Sequence, residues 1–281
     1  MILSRFLPDS FDAEKPVALI AGKAMYPKLT LDAMRAAGIR VRLIGFEGET
    51  REDIIASFSE NERVILKVGQ LGRMLKAIAA FQAAAAIMVG QVTPGRLFKR
   101  LHPDGKAVLM MARLKERNAE TIFGAIAGEV EKLGVTMLDA RSFLDHHLAV
   151  EGAMTGGQLR ADPGTVEHGV TIAREAARLN IGQSVVVSRG TVIAVEAFEG
   201  TDEMLRRAGR LAATRPIFVK AVKPKQDYRF DVPVFGARTV EVMEEADVRL
   251  ACLQAGSTII LDKVGVVNQA RIAGIQIYGY R

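Results

Sequence analysis

The sequence is short of cysteine, tryptophan, histidine and long apolar runs, and each shortage closes off a class of protein. One cysteine, Cys252, in 281 residues leaves no disulfide framework within the chain and no Cys-based zinc site. Four histidines are too few and scattered for a metal cage. His102 and His168 have no carboxylate in ligand spacing, and the adjacent His146-His147 read as surface residues. Tryptophan is absent, aromatics are 6%, and the basic residues are not interleaved with aromatics, so no nucleic-acid partner is expected. The longest nearly apolar stretch, Ala77 to Val89, is broken by Gln82 and falls short of the roughly 20 residues that cross a bilayer. The start, MILSRFLPDSFDAEK, lacks the basic-then-apolar order of a signal peptide. A soluble cytoplasmic protein is the expectation. Neither a G-x-x-x-x-G-K-[ST] loop nor a G-x-S-x-G elbow occurs.

What is present suits two cores. Hydrophobic residues make up 49% and charged residues 25%, and the length alone suggests about two domains. The net charge of +6 favours anionic partners and is spread over both halves. One basic cluster stands out: eight Lys/Arg between Arg206 and Arg229, with Asp227 the only acid among them. It reads either as a solvated face or as a phosphate site.

From Pro16 to Val150 apolar runs alternate with helical patterns. Strands are expected at Val17–Ala21, Val41–Phe46, Val64–Val68, Ala86–Gly90, Ala107–Ala112 and Val135–Ala140. Helices are expected at Tyr26–Ala37, Thr50–Phe58, Gln70–Phe81, Gly95–Leu101 and Lys115–Leu133, the last ended by Gly134. Strands apolar throughout and separated by helices predict a parallel sheet covered on both faces, a Rossmann-like layout. Such a sheet binds ligands at the carboxyl ends of its strands. The first strand runs into Ala21-Gly22-Lys23-Ala24-Met25-Tyr26-Pro27, which is not G-x-G-x-x-G, so a nicotinamide cofactor is not indicated. The loop is either an ordinary turn or a place where Gly22 and a helix N-terminus meet a phosphate or sugar.

Residues 151–165, EGAMTGGQLRADPGT, read as a linker between a domain at 1–150 and one at 166–281. The second domain predicts as α+β. It has a helix at Val166–Leu179, two strands joined at Arg189-Gly190, and a helix at Asp202–Ala213. Strands IFVKAV and LACLQ follow, with a helix near Arg238–Ala246 between them, then a hairpin around Asp262-Lys263, a short helix and IQIYGY. Three segments there are polar for their position. Glu199-Gly200-Thr201-Asp202 turns a strand into a helix: Thr201 as cap and Asp202 at the positive helix end explain it, as would a metal or an anion held there. Lys223 precedes Pro224 and so projects from a fixed extended frame. Asp231, between Phe230 and Val232-Pro233, is either a turn residue or a desolvated base or metal ligand. Cys252, in an apolar strand, reads as core.

Together, IGQSVVVSRGTVIAVEAFEGTDEMLRRAG (181–209) and KAVKPKQDYRFDVPVFG (220–236) resemble the signature of the LpxI-type UDP-2,3-diacylglucosamine pyrophosphatases. IAGKAMYP (20–27) and GQVTPG (90–95) add to it in the first domain. The resemblance implies a Rossmann-like domain followed by one of unusual fold, with the ligand in a cleft between them at the cytoplasmic face of the inner membrane. It implies hydrolysis of the substrate diphosphate to UMP and 2,3-diacylglucosamine 1-phosphate, with magnesium. By position Asp231 matches the catalytic aspartate. Glu199, Gly200, Thr201 and Asp202 match the acidic turn, and Arg206, Lys220, Lys223 and Gln226 match polar positions after it. Gly22 and Gln91 are the expected first-domain contacts. Asp231, Asp202 and Glu199 are the expected ligands of Mg²⁺ or Mn²⁺, since oxygen donors suit a hard cation. Two departures stand in the first domain: Lys23-Ala24 in a loop usually richer in glycine, and Gln91 where asparagine is usual. A homodimer and transient contact with an anionic membrane surface are further expectations. The alternatives are a Rossmann-type nucleotide-sugar oxidoreductase or transferase, and a non-catalytic lipid or nucleotide-binding module.

Overall fold

A computed structural model describes residues 3–91, 103–116, 118–211 and 214–281. The helix expected at Gly95–Leu101, and most of the 90–95 motif, lie outside the described residues. The chain divides into two compact units. The first comprises Met1–Asp145 and Asp227–Asp231, the second His146–Gln226 and Val232–Arg281.

In the first unit, β1 (Val17–Ala21), β2 (Val41–Phe46), β3 (Arg63–Leu66), β4 (Ala85–Val89) and β5 (Thr136–Met137) form a wholly parallel sheet ordered β3-β2-β1-β4-β5. Every residue of β1 is buried, as its unbroken apolar run requires of a strand covered on both faces. The described helices are α1 (Tyr26–Ala36), α2 (Glu52–Ala56), α3 (Leu71–Ala80), α4 (Gly105–Arg113) and α5 (Ala119–Glu131). One core cluster joins Ile20, Ile44, Leu66, Met74, Ile78 and Val130. The Rossmann-like parallel sheet predicted from the sequence is the sheet observed.

One predicted strand is a helix. Ala107–Ala112 falls within α4 because Asp104 caps it, its carboxylate accepting from the Ala107 amide at 3.0 Å. The same carboxylate accepts from Gly72 and Arg73 at the start of α3. Only Val108 in the segment is β-branched, and it is exposed rather than buried.

In the second unit a six-stranded mixed sheet runs β6 (Gly152–Ala153), β13 (Gln276–Tyr280), β11 (Leu250–Gln254), β9 (Ile217–Lys220), β7 (Ser184–Ser188), β8 (Thr191–Val195). The three central strands are parallel and the outer pairings antiparallel. A separate pair, β10 (Val234–Phe235) and β12 (Ile259–Ile260), is parallel. Helix α6 (Pro163–Arg178) covers one sheet face with Val170 and Ala173. Helices α7 (Thr201–Leu211), α8 (Ala237–Glu245) and α9 (Lys263–Ile272) cover the other with Leu205, Val240 and Val266. The α+β character holds, and the predicted Arg189-Gly190 turn joins β7 to β8 with both residues at positive φ, 46° and 76°.

Two expectations change. Residues 151–165 belong to the second unit: Gly152–Ala153 pairs with β13, and Asp162 caps α6 through the Thr165 amide at 2.9 Å. The Asp262-Lys263 hairpin is instead a helix start, with Asp262 left-handed at φ 50° and its carboxylate facing the Gly265 amide. Cys252 is fully buried, and burial pushes its thiol up to about 12. That fits a core residue.

Helix α4 is tied to α5 by charge. Lys106 and Lys132 reach the two oxygens of Glu129, at 2.6 and 2.5 Å, and their hydrogen bonds hold its carboxyl down at about 2. A depressed carboxyl stabilises the fold fully above its ordinary value of about 4.5, and the gain is lost as pH falls towards 2. Acid unfolding of Glu129→Gln, followed by circular dichroism, is therefore expected to depend less steeply on pH between about 4.5 and 2.

Candidate functional site

Strands β1 and β4 are neighbours, yet the chain leaves β1 towards β2 on its other side. The strand order reverses between β1 and β4, and ligands of open parallel sheets bind at the carboxyl ends of such a pair. Gly22 and Gln91 lie there. The Gly22 amide donates to Val89 O and the Lys23 amide to Gln91 O, both at 2.8 Å. The two loops approach so closely that a Cβ on Gly22 would sit 2.5 Å from the Gln91 carbonyl oxygen. One on Gly90, itself at φ 87°, would sit 2.7 Å from the Lys23 oxygen. Ala24 takes a left-handed backbone, φ 73°, in the loop where the resemblance leads one to expect more glycine. Behind the loop, the buried Tyr26 hydroxyl donates to Ala140 O at 2.5 Å, and burial raises its pKa.

Asp231 belongs to the first unit as the last residue of Asp227–Asp231, a segment whose flanks, up to Gln226 and from Val232, belong to the second. Four contacts hold its segment. The Ala140 amide donates to Tyr228 O at 2.7 Å. The Arg141 guanidinium lies over the Tyr228 ring, 3.4 Å from its centroid. Arg229 bridges Glu131 and Asp227, each at 2.7 Å, which raises its pKa further. Phe230 stacks on Phe123, with centroids 6.2 Å apart. Asp231 closes a turn, its amide donating to Asp227 O at 3.0 Å, and is half-buried. Sequence alone did not single out Tyr228 or Glu131, and it placed Arg229 in the basic cluster, where the structure instead pairs it with Glu131 and Asp227.

In the second unit the acidic turn opens α7. Gly200 is left-handed at φ 82° and its carbonyl accepts from the Met204 amide. Thr201 is the first helical residue, and its hydroxyl donates to Glu196 Oε1 at 2.7 Å rather than capping the helix. Glu196 Oε2 is buried without a hydrogen-bond partner. Glu199 pairs with Arg207, whose hydrogen bond lowers its pKa, and Asp202 faces Arg238 at 3.5 Å. Arg206 is held by Glu203 at 2.6 Å and Glu245 at 3.1 Å, tying α7 to α8.

Lys220 is buried at the end of β9, its ammonium 3.4 Å from Ser184 Oγ. The segment after it is pinned from two neighbouring strands. The Tyr280 hydroxyl donates to Lys220 O at 2.9 Å, and Gln254 Oε1 accepts from the Val222 amide at 3.1 Å. Lys223 and Gln226 then form a tight turn, the Gln226 amide donating to Lys223 O and the Lys223 amide to Gln226 Oε1. The eight-cation cluster is thus divided: Arg206 and Arg207 are neutralised on α7, Lys220 is inside the sheet, and Arg229 lies in the other unit.

Of the three carboxylates expected to hold a metal, Asp231 lies in the first unit and Glu199 and Asp202 in the second. Among the described residues no group of three His, Cys, Asp or Glu side chains comes together, and Glu199 and Asp202 each face an arginine. Within the second unit, Glu199 and Asp202 are thus committed to arginines and offer no free pair of carboxylates to a Mg²⁺ ion.

The fold and these loops define a two-unit protein with a Rossmann-like sheet, its switch-point loop in one unit and an acidic helix start in the other. Two family models match it in order: LpxI N-terminal domain over residues 16–147 and LpxI C-terminal domain over residues 150–278. Carrying both domains, the chain belongs to the LpxI family. It is 28% identical over 226 residues, 75% of its length and 80% of the relative's, to the UDP-2,3-diacylglucosamine pyrophosphatase LpxI of Caulobacter vibrioides. Among the described residues no helix is long and apolar enough to cross a membrane.

The contact between Gly22 and Gln91 gives a direct test. Gly22→Ala must force the two loops apart, at a cost of about 1–3 kcal/mol for overpacking against backbone. A thermal melt is expected to show that loss. An unchanged melting temperature would mean that the loops are not packed this closely.

Proposed function

We propose that the protein hydrolyses the diphosphate of UDP-2,3-diacylglucosamine, giving UMP and 2,3-diacylglucosamine 1-phosphate in lipid A synthesis. The observation that carries this reading is the presence of both LpxI domains in order, with a relative named for that activity aligned over three quarters of the chain. One water is consumed. Its oxygen bonds to one phosphorus, the bridging P–O bond breaks, and the bridging oxygen leaves with the other phosphate.

A diphosphate diester carries two negative charges and repels a nucleophile, so catalysis needs positive charge on its oxygens and a fixed water. Asp231 is assigned to accept the water proton. Its turn is held by neighbours rather than by its own flexible chain, which suits a group that must stay in place through the reaction. Lys223 and the α7 amino end at Gly200-Thr201 are assigned to phosphate oxygens, and Gly22 and Gln91 to the nucleotide or sugar. Arg206, Lys220 and Gln226 have internal partners, and we assign them to holding α7 and the 220–226 segment in place. Transient membrane contact from the cytoplasmic side is part of the same proposal, supported by the substrate being a glycolipid.

Asp231→Ala is expected to keep its melting temperature and to bind substrate, while turnover falls at least ~10²-fold. A single-turnover product assay beside a melting curve checks this. Near-wild-type turnover by a folded variant would remove Asp231 from the mechanism.

The ion-paired carboxylates lead to an expectation about metal. Mg²⁺ alone is expected to show no saturable binding to the protein in calorimetry below millimolar concentrations. If EDTA stops turnover and Mg²⁺ or Mn²⁺ restores it, the cation arrives with the diphosphate, because Mg²⁺ commonly binds through substrate phosphates and few carboxylates. Tight binding of Mg²⁺ to the free protein would contradict this.

A further inference from the structure

A second concentration of cations lies at the end of the second unit's sheet opposite to Lys220. Four arginines, Arg160, Arg189, Arg215 and Arg249, line a cleft of about 600 Å³ there. Strand register brings them together. Val187 pairs with Ile217, so the antiparallel register carried two residues further sets Arg189, just past β7, opposite Arg215, just before β9. The Ser188 hydroxyl donates to Thr214 O and ties these two approaches to each other. Leu250, which opens β11, pairs with Ile217 from the other side and brings Arg249 alongside. Arg160 joins from the segment before α6, its amide held by the Gln276 side chain at 2.8 Å where β13 begins. Lys220, at the far end of the four-residue β9, is roughly 10 Å away, and the cleft shares no lining residue with the 220–226 segment.

Ordinary structural roles account for two of the four. Arg249 pairs with Asp247 at 2.7 Å and donates to Ala273 O at 2.7 Å, and Arg160 donates to Gly274 O at 3.3 Å. Both carbonyls lie just past the carboxyl end of α9, where cations are favoured. Arg189 and Arg215 have no such role. Among the described residues neither meets a carboxylate, and each takes a left-handed backbone at φ 46°. Arg189 occupies a turn position that Asn, Asp or Gly fills best, and like charges facing each other across an antiparallel pair destabilise it. Neither the turn nor the pairing calls for arginine, whereas an anion held between the two guanidiniums does.

The rest of the lining selects the anion. Asp162 spends its carboxylate on Thr165, accepting from the amide at 2.9 Å and the hydroxyl at 3.2 Å. With Asp247 the cleft sets four cations against two carboxylates, a formal balance of +2. Its floor is apolar and buried, made by Pro216, Ile217 and Leu250. A space of about 600 Å³ has the size of a metabolite site rather than that of a single ion. Guanidinium forks match phosphate oxygens in pairs, and the floor suits the carbon body between two phosphates.

We propose that this cleft binds a small organic bisphosphate, with Arg189 and Arg215 as its phosphate-binding pair. The site is distinct from the Lys223 turn and does not depend on the diphosphatase reading.

The test is calorimetric titration of the full-length protein with fructose 1,6-bisphosphate as probe, and with inorganic phosphate and neutral fructose for comparison. The wild type is expected to bind the bisphosphate saturably, one per chain, below ~1 mM, and inorganic phosphate at least ~10-fold more weakly. Arg189→Asn and Arg215→Asn are each expected to weaken bisphosphate binding at least ~10-fold. Both are expected to melt no lower than the wild type, because asparagine tolerates the left-handed backbone and one of two facing charges is removed. If Arg215→Asn does not fold, Arg189→Asn, in an exposed turn, decides the matter alone. Lys223→Ala is expected to bind the bisphosphate as the wild type does. The proposal is overturned by any of four results: no saturable binding, binding as tight for inorganic phosphate or fructose, undiminished affinity in the folded arginine variants, or loss of binding in Lys223→Ala. Turnover of UDP-2,3-diacylglucosamine is not part of the readout, so failure of either reading leaves the other standing.

Discussion

The arrangement of this protein depends on how five residues are held. Asp227–Asp231 arrive from the second unit's chain but pack with the first, and each contact that keeps them there has a separate physical basis. Arg229 supplies charge to Glu131, Tyr228 takes a backbone hydrogen bond and a guanidinium over its ring, and Phe230 stacks on Phe123. Charge, hydrogen bonding and aromatic contact fail under different conditions, so salt or a single substitution weakens the anchor without removing it. A carboxylate at the end of such a segment is fixed by its neighbours.

The second constraint is backbone proximity at the switch point. With the Gly22 Cβ position 2.5 Å from a carbonyl oxygen, no other residue fits without moving the loop. What this produces is a close backbone-to-backbone contact at the carboxyl ends of β1 and β4, the end of a parallel sheet at which ligands bind. Ala24 in a left-handed conformation carries some strain that a glycine would avoid, a local departure in a loop otherwise shaped for close approach.

Charge pairing explains why part of the basic cluster at residues 206–229 is neutralised. Arg206 and Arg207 are spent on carboxylates that brace α7, and Glu199 and Asp202 are spent in return. These pairs lie on the surface, where each contributes little alone. Their effect is to set the orientation of α7, whose amino end carries Gly200 and Thr201. Glu196, which accepts from the Thr201 hydroxyl at that amino end through Oε1, keeps its other oxygen, Oε2, buried without a hydrogen-bond partner.

Much of the fold was legible because strands buried on both faces are predominantly apolar: β1 and β4 are apolar throughout, and β2, β7 and β11 carry only one or two polar residues each. The same rule misread Ala107–Ala112, where apolar residues serve a helix whose outer side is exposed. Only the cap from Asp104 separates that case from a strand, and a cap is a weak signal in sequence. Gly22 and Gln91 were identifiable as loop residues after strands, but their mutual contact requires β1 and β4 to be adjacent, which the order of elements does not state. Asp231 was likewise visible as an acid in an apolar frame. That it packs with the first unit, that Glu199 and Asp202 face arginines, and that the cations are dispersed follow from long-range pairings. The sequence by itself determined the alternation of elements and the chemical types at the turns, because periodicity and backbone freedom are local. Only the tertiary structure decided which charges are spent on one another and which unit holds the aspartate, because Coulomb and packing energies depend on distances in space rather than along the chain.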